Sequence, residues 1–183
     1  MVMNPFQRRD DPYMLVVSMV GVKMGDRLAH IGCAHGGRLG AIAGKVGLSG
    51  QAVAFVTDEA SATRARKGAA AAGVLVEVET SSPVRLEAAD EAFDVAVVDD
   101  TGGAMAMLRP ELRVSAVREL LRVLRPGGRA VVIRAIPRGG IGALLTRAQS
   151  GPSWNANRAL EAEGFRSVRT LAERDGLAFV EGL

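Results

Sequence analysis

Runs of five or six mostly apolar residues alternate along the chain with stretches whose apolar positions recur every third or fourth residue. The runs Arg27–Ile31, Ala52–Val56, Leu75–Glu79, Asp94–Val98 and Arg129–Arg134 are rich in Val, Ile, Leu and Ala at successive positions. Strands apolar on both faces belong to the middle of a parallel sheet covered by helices. The stretches Gly37–Val46, Glu59–Ala72 and Glu111–Leu124 carry helical spacing, and a further helix is expected near Pro12–Val20. Gly73 and the triplet Pro126-Gly127-Gly128 are expected to stop the second and third of these, because glycine tolerates left-handed backbone and proline cannot continue a helix. Strand and helix in alternation give right-handed βαβ units, hence an α/β fold with an open, doubly wound, Rossmann-like sheet.

The last quarter breaks that rhythm. Arg158–Gly164 reads as a helix, followed by two strand-like runs, Phe165–Leu171 and Leu177–Val180, separated by Glu173-Arg174-Asp175-Gly176. An Asp-Gly pair between two such runs predicts a β-hairpin, so the final strands should be antiparallel neighbours. Neither an internal repeat nor a second core is visible. The expectation is one domain over 1–183, with an N-terminal helical segment (1–24), a binding core (25–134) and a C-terminal helix with its hairpin (135–183).

Composition narrows the class. With 183 residues, 48% hydrophobic and 23% charged, the chain has the size and apolar content of one folded domain. Aromatics are only 4%, so the core must be built from Ala, Val and Leu. A single cysteine, Cys33, excludes an intrachain disulfide, and one Cys with two His offers no zinc set, so no metal is expected. The apolar stretch Tyr13–Val22 is shorter than a membrane span and follows Asp10 and Asp11, unlike a secretory signal, so a cytoplasmic protein is expected.

Charge adds one ambiguity. The net charge is +3, yet residues 58–100 hold ten acids against four bases and 109–147 hold nine arginines against two acids. Such asymmetry could steer an acidic substrate. The simpler reading is a solvated helix face, with Arg118, Arg122 and Arg125 alternating with the apolar stripe Val114, Val117, Leu120, Leu121 and Leu124. Nucleic acid is not indicated.

Three stretches carry a family resemblance: the strand and loop Gly25–Gly37, the run Ala89-Asp90-Glu91-Ala92-Phe93-Asp94-Val95-Ala96-Val97-Val98, and the helix, Pro-Gly-Gly turn and strand of Glu119–Val132. In order and at their spacing, they resemble class I methyltransferases that use S-adenosylmethionine (SAM), of the methyltransferase type 11-like kind, over about residues 12–182. The resemblance implies seven strands in the order 3-2-1-4-5-7-6 with strand seven antiparallel. It implies SAM beyond the strand ends between strands one and four, where doubly wound sheets bind ligands. Methyl transfer would then be an in-line displacement to a small-molecule acceptor that the sequence does not name.

Carried onto this chain, the family's strand-one acid falls on His30 and its central loop glycine on Ala34, with Gly32, Cys33, His35, Gly36 and Gly37 completing the loop. The strand-two acid falls on Val56, with Asp58 and Glu59 just beyond. The acid after strand three falls at Ser81-Ser82, of which Ser82 is the expected contact. These residues and Asp99 form the expected cofactor set. Asp99, Asp100 and His35 are the candidates for catalysis, although Asp99-Asp100-Thr101-Gly102-Gly103 also reads as a turn and helix cap. The simpler reading of Cys33 is a small buried hydrophobe, and that of His30 a structural residue at a strand end. Trp154 is expected to anchor the last helix. Pro137–Ser150, with Arg138 and Gly139-Gly140, lies where a substrate lid would form.

Two other classes compete. The first is a non-catalytic relative, a binding or dimerisation module whose SAM pocket has eroded at His30, Ala34, Val56 and Ser82; a homodimer is a partner reading left open. The second is an NAD(P)-dependent oxidoreductase, since Gly32, Ala34 and Gly37 fit G-x-[GA]-x-x-G with Asp58 about 20 residues on.

Overall fold

The computed structural model describes residues 11–136 and 154–183. In chain order the elements are α1 (Met14–Val20), β1 (Arg27–Ile31), α2 (Gly36–Ala43), β2 (Gln51–Val56), α3 (Glu59–Ala72), β3 (Glu77–Thr80), β4 (Phe93–Asp99), α4 (Pro110–Val123), β5 (Leu124–Ala135), α5 (Ala156–Ala162), β6 (Arg169–Arg174) and β7 (Leu177–Gly182). The strands form one sheet in the order β3-β2-β1-β4-β5-β7-β6. β7 runs antiparallel to both β5 and β6, and the other pairs are parallel. This is the architecture expected from the sequence.

Side-chain alternation sorts the strands between two cores. Ala29 and Ile31 of β1, Val53 and Phe55 of β2, and Ala96 and Val98 of β4 pack with Val117 and Leu120 of α4 and Leu160 of α5. On the opposite face Leu28, Ala52, Val95 and Val97 meet Val16 and Val20 of α1 and Ile42 of α2, while Ala54 and Val56 meet Leu39 of α2 and Ala62 and Ala65 of α3. Asp175 and Gly176 both take positive φ (55° and 79°), the type I′ turn that an Asp-Gly hairpin favours.

Helices α2 and α3 touch at glycines. A Cβ on Gly36 would lie 2.3 Å from the Arg64 carbonyl oxygen, and one on Gly68 would lie 2.1 Å from the Gly36 carbonyl oxygen. Gly40 is as crowded, 2.7 Å from the Gly68 oxygen. Only backbone fits between these helices.

The structure differs from the sequence expectation in several places. Helix α4 stops at Val123, before the Pro-Gly-Gly triplet, because Leu124 is already extended (φ −81°, ψ 134°) and pairs with Phe93. The register then jumps from Phe93↔Leu124 to Val95↔Arg129, so Arg125-Pro126-Gly127-Gly128 forms a bulge inside β5. Leu75 is exposed and β3 begins at Glu77, as a polar edge strand. β6 begins at Arg169 rather than Phe165, because the Phe165 side chain is buried in the core against Gly182. Val114 and Leu121 are exposed, while Ala116, Val123 and Glu119 face inward with Val117 and Leu120. Pro137–Ser150, with Arg138, Gly139 and Gly140, lies outside the described residues.

Ion pairs satisfy part of the charge asymmetry within the fold, two of them between the blocks, at Asp90 and Asp94. Arg122 pairs with Asp90 and Glu119, and Arg125 pairs with Asp94, which also takes Arg27. Arg118 pairs with Glu163 and Arg129 with Glu181. Burial alone would raise the Asp94 carboxyl, but hydrogen bonds from Arg27 and Arg125 outweigh it and hold the group down at about 2. Among the described residues no helix is long and apolar enough to cross a membrane.

Candidate functional site

The parallel strands deliver their C-terminal ends to one rim, and a cavity of about 150 Å³ lies there across the ends of β1, β2, β3 and β4. The first wall is the turn after β1. Gly32 takes φ +77°, and a Cβ there would sit 3.0 Å from the Asp99 carbonyl oxygen, so the backbones of β1 and β4 meet at a point only glycine can occupy. Cys33 and Ala34 continue this wall. The Ala34 methyl lies against Gly102, whose own Cβ would be 3.2 Å away. The Cys33 thiol is buried and is pushed up to about 11 by burial and by the nearby Asp99 charge, so it stays protonated.

The second wall follows β2. Val56 is buried among Cys33, Leu39 and Ala62, away from the cavity. Two residues later, Asp58 lines it and caps α3, accepting from the Ser61 amide at 2.8 Å and the Ser61 hydroxyl at 3.0 Å. These bonds, the Ser61 amide first, lower the Asp58 carboxyl below the ordinary range. Ser61 and Arg64 stand beside it on α3, and the Arg64 guanidinium donates to the Cys33 carbonyl at 2.5 Å. Glu59 points elsewhere and pairs with Arg66 on the exposed side of the helix.

The third wall comes from the segments after β3 and β4. Ser81 lines the cavity with a buried hydroxyl that has no hydrogen-bond partner among the described residues. Ser82 is exposed, in a bridge with Arg85. At the end of β4 the Asp99 side chain is fully buried and lines the cavity. Its Oδ1 accepts from Arg38 at 2.6 Å and from the Thr101 hydroxyl at 2.6 Å, and its Oδ2 has no partner among the described residues. Asp100 turns away: Oδ1 takes the Met105 and Ala106 amides and Oδ2 takes the Trp154 indole N–H at 2.7 Å. That carboxylate holds the post-β4 loop to the start of α5, and Trp154 anchors the C-terminal helix as expected, with Arg113 stacked 5.6 Å from its ring.

The remaining loop residues stand outside the cavity lining. His30 is fully buried, with Nδ1 2.8 Å from the Gly32 carbonyl. A carbonyl only accepts, so Nδ1 carries the proton. Burial lowers the imidazole's pKa, against the pull of Asp99 and the Gly32 carbonyl, and the ring stays neutral. His35 is exposed at the start of α2, with Nδ1 3.4 Å from the Tyr13 hydroxyl. Gly36 is taken up by the contact with α3, and a Cβ on Gly37 would fall 2.2 Å from the Tyr13 hydroxyl oxygen. A larger and more open groove of about 670 Å³ runs along Val84–Ala89 and α4, but its buried carboxylate, Glu119, is satisfied by Arg122 and the Leu86 amide. The smaller cavity, at the switch point of the sheet and with unpaired acceptors, is the candidate site. Among the described residues no group of His, Cys, Asp and Glu could hold a metal ion.

A family model for the methyltransferase domain matches residues 29–128, from β1 through the bulge in β5. The chain belongs to the methyltransferase domain family. No curated protein matches it. Among solved structures, this methyltransferase domain is similar to a SAM-dependent methyltransferase from Aquifex aeolicus, at 20% identity and TM-score 0.72, over 92% of this chain and 87% of that one. It is also similar to PigF with SAH (17%, TM-score 0.63, 86% of this chain and 56% of that one) and to the [4+2]-cyclase SpnF (23%, TM-score 0.65, 86% and 57%). At these identities the likeness is one of fold, and SpnF illustrates that the fold does not by itself fix the chemistry.

Of the residues expected to form the site, the methyltransferase domain brings Gly32, Cys33, Ala34, Asp58 and Asp99 to one cavity. It leaves His30, His35, Gly36, Gly37, Glu59 and Ser82 off its walls. Sequence reasoning missed Ser61, Arg64, Ser81 as the inward serine, and Arg38 with Thr101 as the clamp on Asp99. Ser61 had a signal, the Asp-x-x-Ser spacing of a helix cap; Arg38 had none.

Proposed function

We propose that the chain is an S-adenosylmethionine-dependent methyltransferase acting on a small-molecule acceptor. The observation that carries this reading is the pair of buried, unpartnered acceptors at the two ends of the cavity, Ser81 Oγ after β3 and Asp99 Oδ2 after β4. Those strands are three sheet spacings apart, roughly 14 Å. A buried polar group without a partner costs about 1–3 kcal/mol, so the site is completed by an elongated molecule with a polar group for the Ser81 hydroxyl at one end and an N–H or O–H donor for Asp99 at the other. SAM has that form, with the adenine amine at one end and the methionine ammonium at the other.

In this reading Ser81 accepts from the adenine amine, and Asp58, at the middle of the cavity, accepts from the ribose hydroxyls. Gly32 lets the ligand approach the backbone of the β1 turn. The bound cofactor supplies a methyl group on a sulfonium, open to displacement from the opposite side. The protein's part is to orient that sulfur and exclude water from it. The cavity is about half the roughly 300 Å³ at which small-molecule sites begin. Arg64, a long exposed side chain held to the wall by its bond to Cys33, is the lining group able to swing out.

Isothermal calorimetry of the full chain tests the reading. SAM and its demethylated product S-adenosylhomocysteine (SAH) are expected to bind, and NAD is not. Absence of heat with both sulfur nucleosides at millimolar concentration would retire the enzyme in favour of a non-catalytic module, and heat with NAD alone would favour the oxidoreductase.

A further inference from the structure

We propose that Asp99 is the residue that takes the α-ammonium group of the cofactor, the strand-one position being left without a charge. The inference rests on the SAM-binding reading above and assigns one end of that ligand to one side chain. Two acids line the cavity, and they differ in what they still offer. Asp58 is exposed and has both oxygens engaged, by Ser61 and by the Thr57 hydroxyl at 3.1 Å. Asp99 is fully buried and has one oxygen engaged and one without a donor. A buried carboxylate oxygen needs an N–H or O–H, preferably one that brings positive charge.

The cofactor carries two cationic groups, and hydrogen bonding separates them. The sulfonium has no proton to give, whereas the ammonium has three. An acceptor lacking a donor therefore selects the ammonium. His30 does not take it: its Nδ1 proton goes to the Gly32 carbonyl, its neutral imidazole carries no charge, and its Nε2, also without a partner among the described residues, is buried off the cavity wall. The neighbouring strand supplies what β1 lacks. Ile31 pairs with Val98, so Asp99 is the next residue along, opposite Gly32, at the same switch point.

Asp99 is also held in place for the purpose. Arg38 bonds both its Oδ1 and the Thr101 hydroxyl, and that hydroxyl donates to the same Oδ1. The clamp fixes the carboxylate plane through one oxygen and leaves the other for a ligand. Arg38 and Thr101 are positioning residues in this scheme. Asp99 is the binding residue.

The test compares full-length wild type and Asp99→Asn by calorimetry, using SAM, SAH, 5′-methylthioadenosine, and SAH with its amine replaced by hydrogen. Asparagine keeps an oxygen for Arg38 and Thr101 while removing the charge. The variant is expected to lose about 10- to 100-fold in affinity for both SAM and SAH, the size of a charge-assisted hydrogen bond. Methylthioadenosine, which has no ammonium, is expected to bind both proteins equally. Deaminated SAH should bind wild type as weakly as SAH binds the variant, with no further loss in the variant. Loss for SAM alone would overturn the proposal in favour of a sulfonium contact, and equal loss for methylthioadenosine would overturn it in favour of a merely structural Asp99. If the variant does not fold, the wild type decides: a difference of less than about threefold between SAH and its deaminated form overturns the assignment. Failure of the parent reading looks different, because wild type would then bind none of the four.

Discussion

Gly68→Ala should destabilise the protein although it lies inside a helix. Intrinsic propensity alone favours alanine over glycine in the middle of α3 by about 1 kcal/mol. The packing argument has the opposite sign. The added methyl would stand 2.1 Å from the Gly36 carbonyl oxygen, 2.3 Å from its carbon and 2.5 Å from its Cα. Optimal carbon contacts lie near 3.5–4.0 Å, so α2 and α3 would have to part by more than 1 Å. The obstacle is backbone, which cannot rotate away as a side-chain tip can. Overpacking of this kind costs about 1–3 kcal/mol and occasionally more. The contact also holds the helix that begins just after the β1 turn, so the higher end of that range is expected, leaving a net loss of about 2 kcal/mol. For a chain of this size that is a fall of roughly 4–8 °C in melting temperature. Gly73→Ala is the control: it has open space around it but φ +67°, so only the left-handed backbone penalty of about 1–2 kcal/mol applies. Urea titrations followed by circular dichroism, with unchanged m-values, would measure both. If Gly68→Ala matched or exceeded wild type in stability, the close helix contact would be refuted.

Two further outcomes follow from buried groups. Trp154→Phe removes the donor to Asp100 Oδ2 while Oδ1 keeps its two amides, so a loss of about 1–3 kcal/mol is expected by urea denaturation; an unchanged midpoint would show that the Trp154–Asp100 bond is dispensable. His30 predicts a pH dependence with a definite sign. Its folded pKa is lowered by burial, so the unfolded chain binds a proton near pH 6.5 that the folded chain refuses. Stability from this source is complete above about pH 6.5 and declines below it, by up to about 1.4 kcal/mol per unit until the lowered pKa is reached. His30→Gln should flatten the curve between pH 7 and 5, and persistence of the wild-type slope would assign it elsewhere.

The fold was legible because each central strand carries apolar residues on both faces, a pattern that leaves no alternative to burial between helices. Arg27–Ile31 and Glu59–Ala72 match to the residue for that reason and because Gly73 ends the helix in the left-handed conformation. Phe165 was misread since an aromatic beside a strand looks the same in sequence whether it joins the ladder or plugs the core. The site was less legible, and the cause is phase. Beyond a strand end, one residue decides which way a side chain turns: Ser81 faces the cavity and Ser82 the solvent, Asp58 faces it and Glu59 the far side of α3. Gly36 and Gly37 belonged to a glycine-rich motif, but the motif cannot say whether a missing Cβ makes room for a ligand, for α3 or for Tyr13. The clamp of Arg38 on Asp99 joins residues 61 positions apart and leaves no local trace.

β7 comes last among the strands in chain order yet sits between β5 and β6, antiparallel to both. It behaves as a keystone. Until the residues from 177 to 182 are in place, β6 has nothing to pair with and the long edge of β5 remains open to another chain, with Val131 and Ile133 among its residues. Trimming that one segment would therefore cost two strands, and an early symptom would be self-association.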